Sequence, residues 1–121
     1  MLLICFLAFA ATLLLSCSAP VDASGRWSGE FYTQIGPQQY SFQLRSSGRR
    51  LTGTITSPRG TTELTDGKIS GDRIAFVEMT NDNEGRELRV DYRGQIHGIE
   101  MKLKRTPGAY LESEAVVSRT K

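Results

Sequence analysis

Few residues in this chain have the types and spacing that chemistry requires. His97 is the only histidine among 121 residues, and it stands before Gly98, where a turn residue is expected. No serine or cysteine nucleophile motif accompanies it, and there is no Walker loop, no dinucleotide fingerprint and no paired Cys/His spacing. We therefore expect a protein that is not an enzyme and uses no cofactor or metal.

Glu78 is the most informative charged residue, because it falls in an ambiguous strand. If the strand over residues 73–80 keeps the phase of its first apolar residues, the Glu78 carboxylate points into the interior near one end of the sheet. There its pKa rises, or it pairs with a base such as Arg105. The alternative is a bulge near Val77 that turns Glu78 out and brings Met79 in. The cost of an unpaired buried charge favours the bulge.

Three further side chains are candidates for a ligand site with Glu78. Arg105 lies in the inward phase at the end of the last predicted strand, and Tyr92 is an inward aromatic of the strand before it. Tyr32 lies on the outer face beside Glu30, where it could stack on a sugar. Because a single exposed tyrosine is ordinary, Tyr32 is equally consistent with plain surface.

A basic stripe is expected on the outer face if the last two predicted strands pair. Its members are Arg89, Arg93, Lys102 and Lys104. Such a stripe suits lipid headgroups, lipopolysaccharide or an acidic glycan. Asp91 and Glu100 lie among these residues, which favours an ordinary solvated exterior. The net charge of +2 is too small to indicate binding to nucleic acid.

The elements that must position these residues read as β-strands almost without interruption. Apolar and polar residues alternate with period two in seven short runs separated by Gly, Pro, Asn and Asp, a pattern typical of antiparallel hairpins. The runs cover residues 26–35, 40–45, 51–57, 62–70, 73–80, 87–95 and 99–105. A bulge at Asp66-Gly67 is expected in the fourth run, because Leu64 and Ile69 differ in parity.

One apolar and one polar face on each run favour a closed sheet without edges. We therefore predict an all-β fold, a small antiparallel up-and-down barrel of about seven strands over residues 25–106. Residues 107–121 are expected to be a C-terminal tail that frays or forms a helical turn or two. Most aromatic residues fall at the strand positions expected to face inward. The interior is therefore expected to be narrow and largely filled.

The first strand opens with Gly25-Arg26-Trp27-Ser28-Gly29, which holds the only tryptophan. A large flat ring can close one end of a small barrel, and Gly25 and Gly29 allow neighbouring backbone to approach it. Gly-X-Trp in a first strand resembles the opening of calycin barrels, the lipocalin and avidin group. That resemblance implies an arginine of the last strand packed across Trp27, and Arg105 is the residue that matches.

Two more motifs extend the resemblance to residues 24–105. Leu51–Ile55 resembles the Leu-Thr-Gly-Thr strand of avidin-like barrels, and Asp66–Asp72 completes a pattern similar to a small secreted bacterial domain of unassigned role. Avidins wall their site with several tryptophans, so biotin is not implied for a chain with one. The chain also looks about one strand shorter than an eight-stranded calycin.

The N-terminal residues indicate export. Met1–Ser18 contains no charged side chain, which predicts a signal segment over residues 1–19 and a polar connector over 20–24. Leu14–Cys17 resembles a bacterial lipobox, which implies lipidation of Cys17 and a membrane tether; cleavage after Ala19 or Ala23 is the alternative. Both cysteines lie in this segment, so no disulfide is expected in the exported domain.

These observations lead to two functional hypotheses for a protein that is periplasmic, lipid-anchored to the envelope, or secreted. The first is a binding module whose barrel mouth near Glu78 takes a small ligand, a glycan or an envelope protein. The second is an envelope accessory or inhibitor protein that acts through its outer face and has a filled interior. An open lumen with polar groups favours the first hypothesis, and a plugged one favours the second.

Overall fold

The computed structural model describes residues 21–33, 35–82, 84–108 and 112–120. Within these residues the secondary structure consists of eight β-strands. They are β1 (Gly25–Thr33), β2 (Gly36–Ser47), β3 (Arg50–Ser57), β4 (Gly60–Ser70), β5 (Arg73–Asn81), β6 (Glu87–His97), β7 (Glu100–Pro107) and β8 (Ser113–Thr120). Each strand pairs antiparallel with the next, and β8 pairs with β1. The all-β fold and the closed up-and-down barrel are thus confirmed.

The barrel has one strand more than the sequence predicted. The additional strand is β8, which lies in the segment expected to be a tail, and it carries the barrel from the predicted boundary at residue 106 to Thr120. Its alternation is weak because Val117 is the one fully buried side chain in the strand, among mostly polar neighbours. The strand exists because β1 and β7 would otherwise both present open edges.

The interior contains most of the large apolar side chains. Five aromatic rings contact one another at centroid separations of 4.7 to 6.5 Å, and the ring pair of Phe76 and Tyr92 is stacked. The predicted bulge in β4 is confirmed: the register shifts between Thr65 and Lys68, and both Leu64 and Ile69 are buried. Ile35 ends the first predicted run and Ile99 begins the seventh, and both are exposed because they lie in turns.

One end of the barrel is closed by Trp27. The start of β1 lies at this closed end, together with the tight turns Gly48-Arg49, Gly71-Asp72 and Gly98-Ile99. The described part of the predicted connector, residues 21–24, packs here: Ala23 is buried, and its carbonyl accepts a hydrogen bond of 2.9 Å from Trp27 Nε1. The Val21 amide donates to the Gly71 carbonyl at 2.9 Å.

Arg119, and not Arg105, packs across the tryptophan. The Arg119 guanidinium lies 4.6 Å from the Trp27 ring centroid, because Arg119 of β8 and Trp27 of β1 are cross-strand partners. Arg105 is near the end of β7, at the opposite end of the barrel. The sequence-based assignment was wrong because β7 was taken for the last strand.

The two glycines beside Trp27 have separate roles. A Cβ on Gly29 would lie 2.7 Å from Val117 Cγ1 and 2.9 Å from the Val116 carbonyl oxygen, so glycine allows β8 to close against β1. Gly25 begins β1 with a φ of +132°, a backbone conformation that favours glycine. Gly25 therefore lies at the closed end, whereas Gly29 allows β1 and β8 to pack closely farther along the barrel.

Candidate ligand site at the open end

The end of the barrel opposite Trp27 is an open cup of about 520 Å³. It is surrounded by the β1–β2, β3–β4, β5–β6 and β7–β8 connections. Tyr40, Glu78 and Arg105 line its deep part, and Tyr32, Ile35 and Arg59 are among the residues of its rim. The aromatic cluster fills the barrel below, so the lumen is plugged at one end and open at the other.

The Glu78 carboxylate points inward. The pairing of β5 with β6 runs without a shift through Val77, Glu78 and Met79, so the bulge favoured by the sequence is wrong. Glu78 is 5% exposed, while Met79 is 40% exposed on the outside. The buried charge is tolerated because both carboxylate oxygens accept hydrogen bonds.

Those hydrogen bonds come from two neighbouring strands. The Tyr92 hydroxyl donates to Glu78 Oε1 at 2.8 Å, and the Thr62 hydroxyl donates to Oε2 at 2.7 Å. Hydrogen bonds to a charged acceptor are stronger than those between neutral groups, which offsets part of the desolvation cost. Strands β4, β5 and β6 thus build one network.

Arg105 extends the network toward the mouth. Its Nε donates to the Tyr92 hydroxyl at 3.2 Å, and its guanidinium carbon lies 5.3 Å from the Tyr40 ring centroid. Its other N–H groups make no hydrogen bond to the described residues, and Arg105 lines the cup. It is therefore placed to donate two more hydrogen bonds to a molecule in the cup. Glu78 and Arg105 are both hydrogen-bonded to the Tyr92 hydroxyl. They form no direct ion pair within 4.0 Å.

Burial and charge shift the pKa values of this network. Burial, and secondly the Glu78 charge, hold the pKa of Tyr92 well above its ordinary value. Burial also raises the pKa of Tyr40, although the charge of Arg105 opposes that shift. Burial alone would lower the pKa of Arg105, but the oxygens of Tyr92, Tyr40 and Glu78 reverse the effect and raise it. Arg105 is thus a cation and both tyrosines are neutral at physiological pH.

Side chains of both polarities surround the mouth. Asp82 in the β5–β6 connection accepts hydrogen bonds from the backbone amides of Glu84 and Arg86, each 2.9 Å long. Its carboxylate also forms an ion pair with Arg86 Nε at 3.1 Å. Arg86 also contacts Glu84. Across the mouth, Tyr32 and Ile35 are exposed apolar groups. The rim therefore offers apolar and hydrogen-bonding contacts to a ligand.

All four predicted ligand-site residues lie at this end of the barrel. Glu78, Tyr92 and Arg105 form one network, and Tyr32 is separate from it on the rim. The sequence analysis did not identify Thr62, because a polar residue in a strand gives no sign that it faces the interior. Its proximity to Glu78 follows only from the pairing of β4 with β5. Cys17 lies outside the described residues. His97 is exposed at the end of β6, beside the closed end.

No protein-family model, curated protein or solved structure matches this chain. The class that the described residues define is a small, closed, eight-stranded antiparallel barrel with one plugged and one open end. The described residues contain no group of three or more side chains that could hold a metal ion. They also contain no helix with the length and apolar character needed to cross a membrane.

Proposed function

We propose that this protein is an exported binding module, without enzymatic activity, that takes a small ligand in the cup at the open end of the barrel. The observation that carries the proposal is the hydrogen-bonded network of Glu78, Tyr92 and Arg105 at the floor of a cavity of about 520 Å³. Known small-molecule sites are concave, about 300 to 1,000 Å³ in volume, and contain a few convergent polar groups among apolar ones.

The stability of the barrel does not explain why these charged residues are buried at the cup floor. Withdrawing a carboxylate and a guanidinium from water costs several kcal/mol each, and well-packed apolar residues in their place are often equally stable or more so. The Trp27 end shows the alternative, since aromatic and aliphatic side chains fill the interior there. Charged residues at the cup floor are therefore better explained by recognition of a ligand.

The lining favours a ligand with two unlike parts. A hydrogen-bonding or anionic group would meet the free N–H groups of Arg105, and an apolar body would lie against Tyr40 and Leu88 and toward Ile35 on the rim. An aromatic or cyclic compound of moderate size satisfies both requirements. A short glycan is the other class that the rim tyrosine supports, whereas an envelope protein would contact the rim alone.

We further propose that the barrel is of the calycin type and that its anchor, if Cys17 is lipidated, is at the end away from the cup. The fold supports the first proposal, as does an arginine of the last strand across the first-strand tryptophan. Val21 lies at the closed end, and four extended residues reach at most about 14 Å. A lipid on Cys17 would therefore leave the mouth open to solvent.

The proposal is tested with 1-anilinonaphthalene-8-sulfonate, an anionic aromatic probe, and its displacement by a panel of small carboxylic acids, neutral sugars and amines. We expect one probe per barrel, displaced by one ligand class. Thr80→Trp, which fills the cup, should weaken probe binding at least about tenfold. Thr52→Trp is the matched control, because Thr52 is an exposed threonine on the outside of β3.

Equal probe binding by the two tryptophan variants, or binding that no member of the panel reduces, would contradict the cup proposal. The second hypothesis, an accessory protein acting through its outer face, would then be preferred. Far-ultraviolet circular dichroism and thermal unfolding report whether each variant retains the barrel.

A further inference from the structure

The predicted basic stripe is real in part. Lys104 and Arg93 are cross-strand partners on β7 and β6, and Lys102 pairs with Gln95 beside them. Arg89 does not belong to this group: it lies toward the cup, and its guanidinium forms an ion pair of 3.3 Å with Asp91. The stripe also continues across strands that the sequence did not connect with it.

Cross-strand pairing lines up cations on five neighbouring strands. One row runs Arg50, Lys68, Ala75, Arg93 and Lys104 across β3 to β7. The next row toward the closed end runs Ser70, Arg73, Gln95 and Lys102 across β4 to β7. We call the six basic residues of these rows the basic face. Neighbouring strands are about 4.8 Å apart, so the basic face spans roughly 20 Å along the curved sheet, which is half of the way around the eight-stranded barrel.

Few carboxylates neutralise the basic face. Among the described residues, Lys104 is its only member with an ion pair, at 4.0 Å from Glu112 and from Glu114. Asp72 lies beside Arg73 and accepts a hydrogen bond of 3.0 Å from Gln95, but its carboxylate forms no ion pair with a described member of the basic face. Like charges on adjacent strands repel and are destabilising. The two rows contain six cations and no carboxylate, which favours an anionic partner.

A groove deepens the centre of the basic face. A depression of about 240 Å³ lies between Lys68, Arg73 and Arg93. It exists because its floor is Ala75 and the backbone of Gly94, which have no long side chain to fill it. Three cations border this depression, and cations of this kind attract phosphate oxygens.

The chain enters the barrel beside the basic face. The Val21 amide is hydrogen-bonded to the Gly71 carbonyl, in the turn directly before Arg73. Val21, four residues after the predicted lipid attachment at Cys17, is therefore at the edge of the basic face and away from the cup. A single acyl chain holds a protein to a membrane only marginally, and a basic surface beside it supplies a second attachment.

We propose that the basic face is a docking surface for an anionic lipid bilayer, with lipid phosphates seated between Lys68, Arg73 and Arg93. Bound this way, the protein rests on the β4–β7 side of the barrel near its closed end. The barrel axis then runs along the membrane surface, and the cup opens to the side, clear of the lipid. The docking site is separate from the cup and does not depend on what the cup binds.

The test uses residues 21–121, which contain all eight strands and the whole core, so that the N-terminal apolar segment cannot contribute. The protein is sedimented with vesicles of phosphatidylcholine containing 30% phosphatidylglycerol, roughly the anionic lipid content of a charged leaflet. We expect binding that weakens as salt rises and that is absent with pure phosphatidylcholine. Each basic residue at an anionic surface contributes about fivefold to the binding constant, so Lys68→Gln/Arg93→Gln should weaken it roughly 25-fold.

The matched control is Arg26→Gln/Arg45→Gln, which removes the same charge from the outer faces of β1 and β2. It should weaken binding by less than about threefold, because screening limits the effect of distant charges. Equal losses in the two variants would overturn the proposal and leave only a net-charge effect. So would equal binding to uncharged vesicles, or binding to soluble polyphosphate with none to anionic vesicles.

Discussion

Tyr92 connects the two charged groups at the floor of the cup. Its hydroxyl donates to Glu78 Oε1 and accepts from Arg105 Nε, so one oxygen uses both of its hydrogen-bonding capacities. The ring below the hydroxyl stacks on Phe76 at 4.7 Å between centroids. Tyr92 therefore belongs to the polar floor of the cup and to the aromatic core at once.

Replacing Tyr92 with phenylalanine should destabilise the protein by about 1 to 3 kcal/mol, because the buried Glu78 carboxylate loses a donor while the ring packing is kept. Urea unfolding at pH 7 measures the change. Tyr40→Phe is the control, since the Tyr40 hydroxyl makes no hydrogen bond to the described residues and its loss should cost less than about 0.5 kcal/mol. Equal costs for the two variants would mean that the Glu78 hydrogen bond is unimportant.

The inward orientation of Glu78 was left open by the sequence. A strand that keeps its phase places residues 74, 76 and 78 on one face, and this simple reading is correct. The cost of a buried charge argued against it, because the sequence does not reveal the donors. Thr62 and Tyr92 are respectively 16 and 14 residues away along the chain.

The β5–β6 connection is organised by Asp82. The carboxylate accepts hydrogen bonds from the amides of Arg86 and Glu84, and the Asp82 amide donates to the Arg86 carbonyl at 2.8 Å. The backbone hydrogen bond from Arg86 is the main reason that the pKa of Asp82 lies below its ordinary value, with burial opposing it. This element forms part of the cup rim, so its order bears on ligand binding.

Because the pKa of Asp82 is lowered in the folded protein, its contribution to the free energy of unfolding depends on pH. The ionised carboxylate stabilises the fold above the unfolded-state pKa of about 4, and the stabilisation is lost as pH falls through the lower folded-state value. Asp82→Asn should therefore be less stable than the parent at pH 7, and the gap should shrink below about pH 4. Thermal unfolding from pH 7 to pH 2.5 measures both.

Glu84→Gln is the control for this prediction. Its carboxylate contacts Arg86 at the surface, where an ion pair contributes little to stability. We expect its stability at pH 7 to be close to that of the parent. A gap for Asp82→Asn that stays constant from pH 7 to pH 2.5 would show that the carboxylate does not stabilise the folded connection.

Closure of the whole barrel depends on β8. Its inner face contributes Val117, which is fully buried and touches Gly29, and Arg119, which covers Trp27. Without β8, the first and seventh strands would expose unpaired backbone groups, which promotes aggregation. The last strand therefore completes the core and also protects the sheet from edge-to-edge association.

Two adjacent valines test this closure. Val117→Asp places a charge in the core and should destabilise the protein by on the order of 4 kcal/mol, with loss of monomeric protein in size-exclusion chromatography. Val116→Asp should leave the stability within about 0.5 kcal/mol, because the side chain is 53% exposed on the outer face. Similar behaviour of the two variants would mean that β8 is not part of the closed barrel in solution.

The alternation of apolar and polar residues determined the fold class of this protein. Period-two runs with two unlike faces can be satisfied only by a sheet with one buried side, and closure protects the edges. The same local pattern located the bulge at Asp66, because parity is a property of one strand and needs no partner. The closing role of Trp27 likewise followed from its place in the first strand.

Only the tertiary structure decided which residues meet. Strand β8 has too few buried residues to show a pattern of its own, and it exists because two distant strands need a partner. The arginine over Trp27, the donors to Glu78 and the rows of the basic face all depend on cross-strand register. Register joins residues far apart in the chain, so local sequence patterns do not contain it.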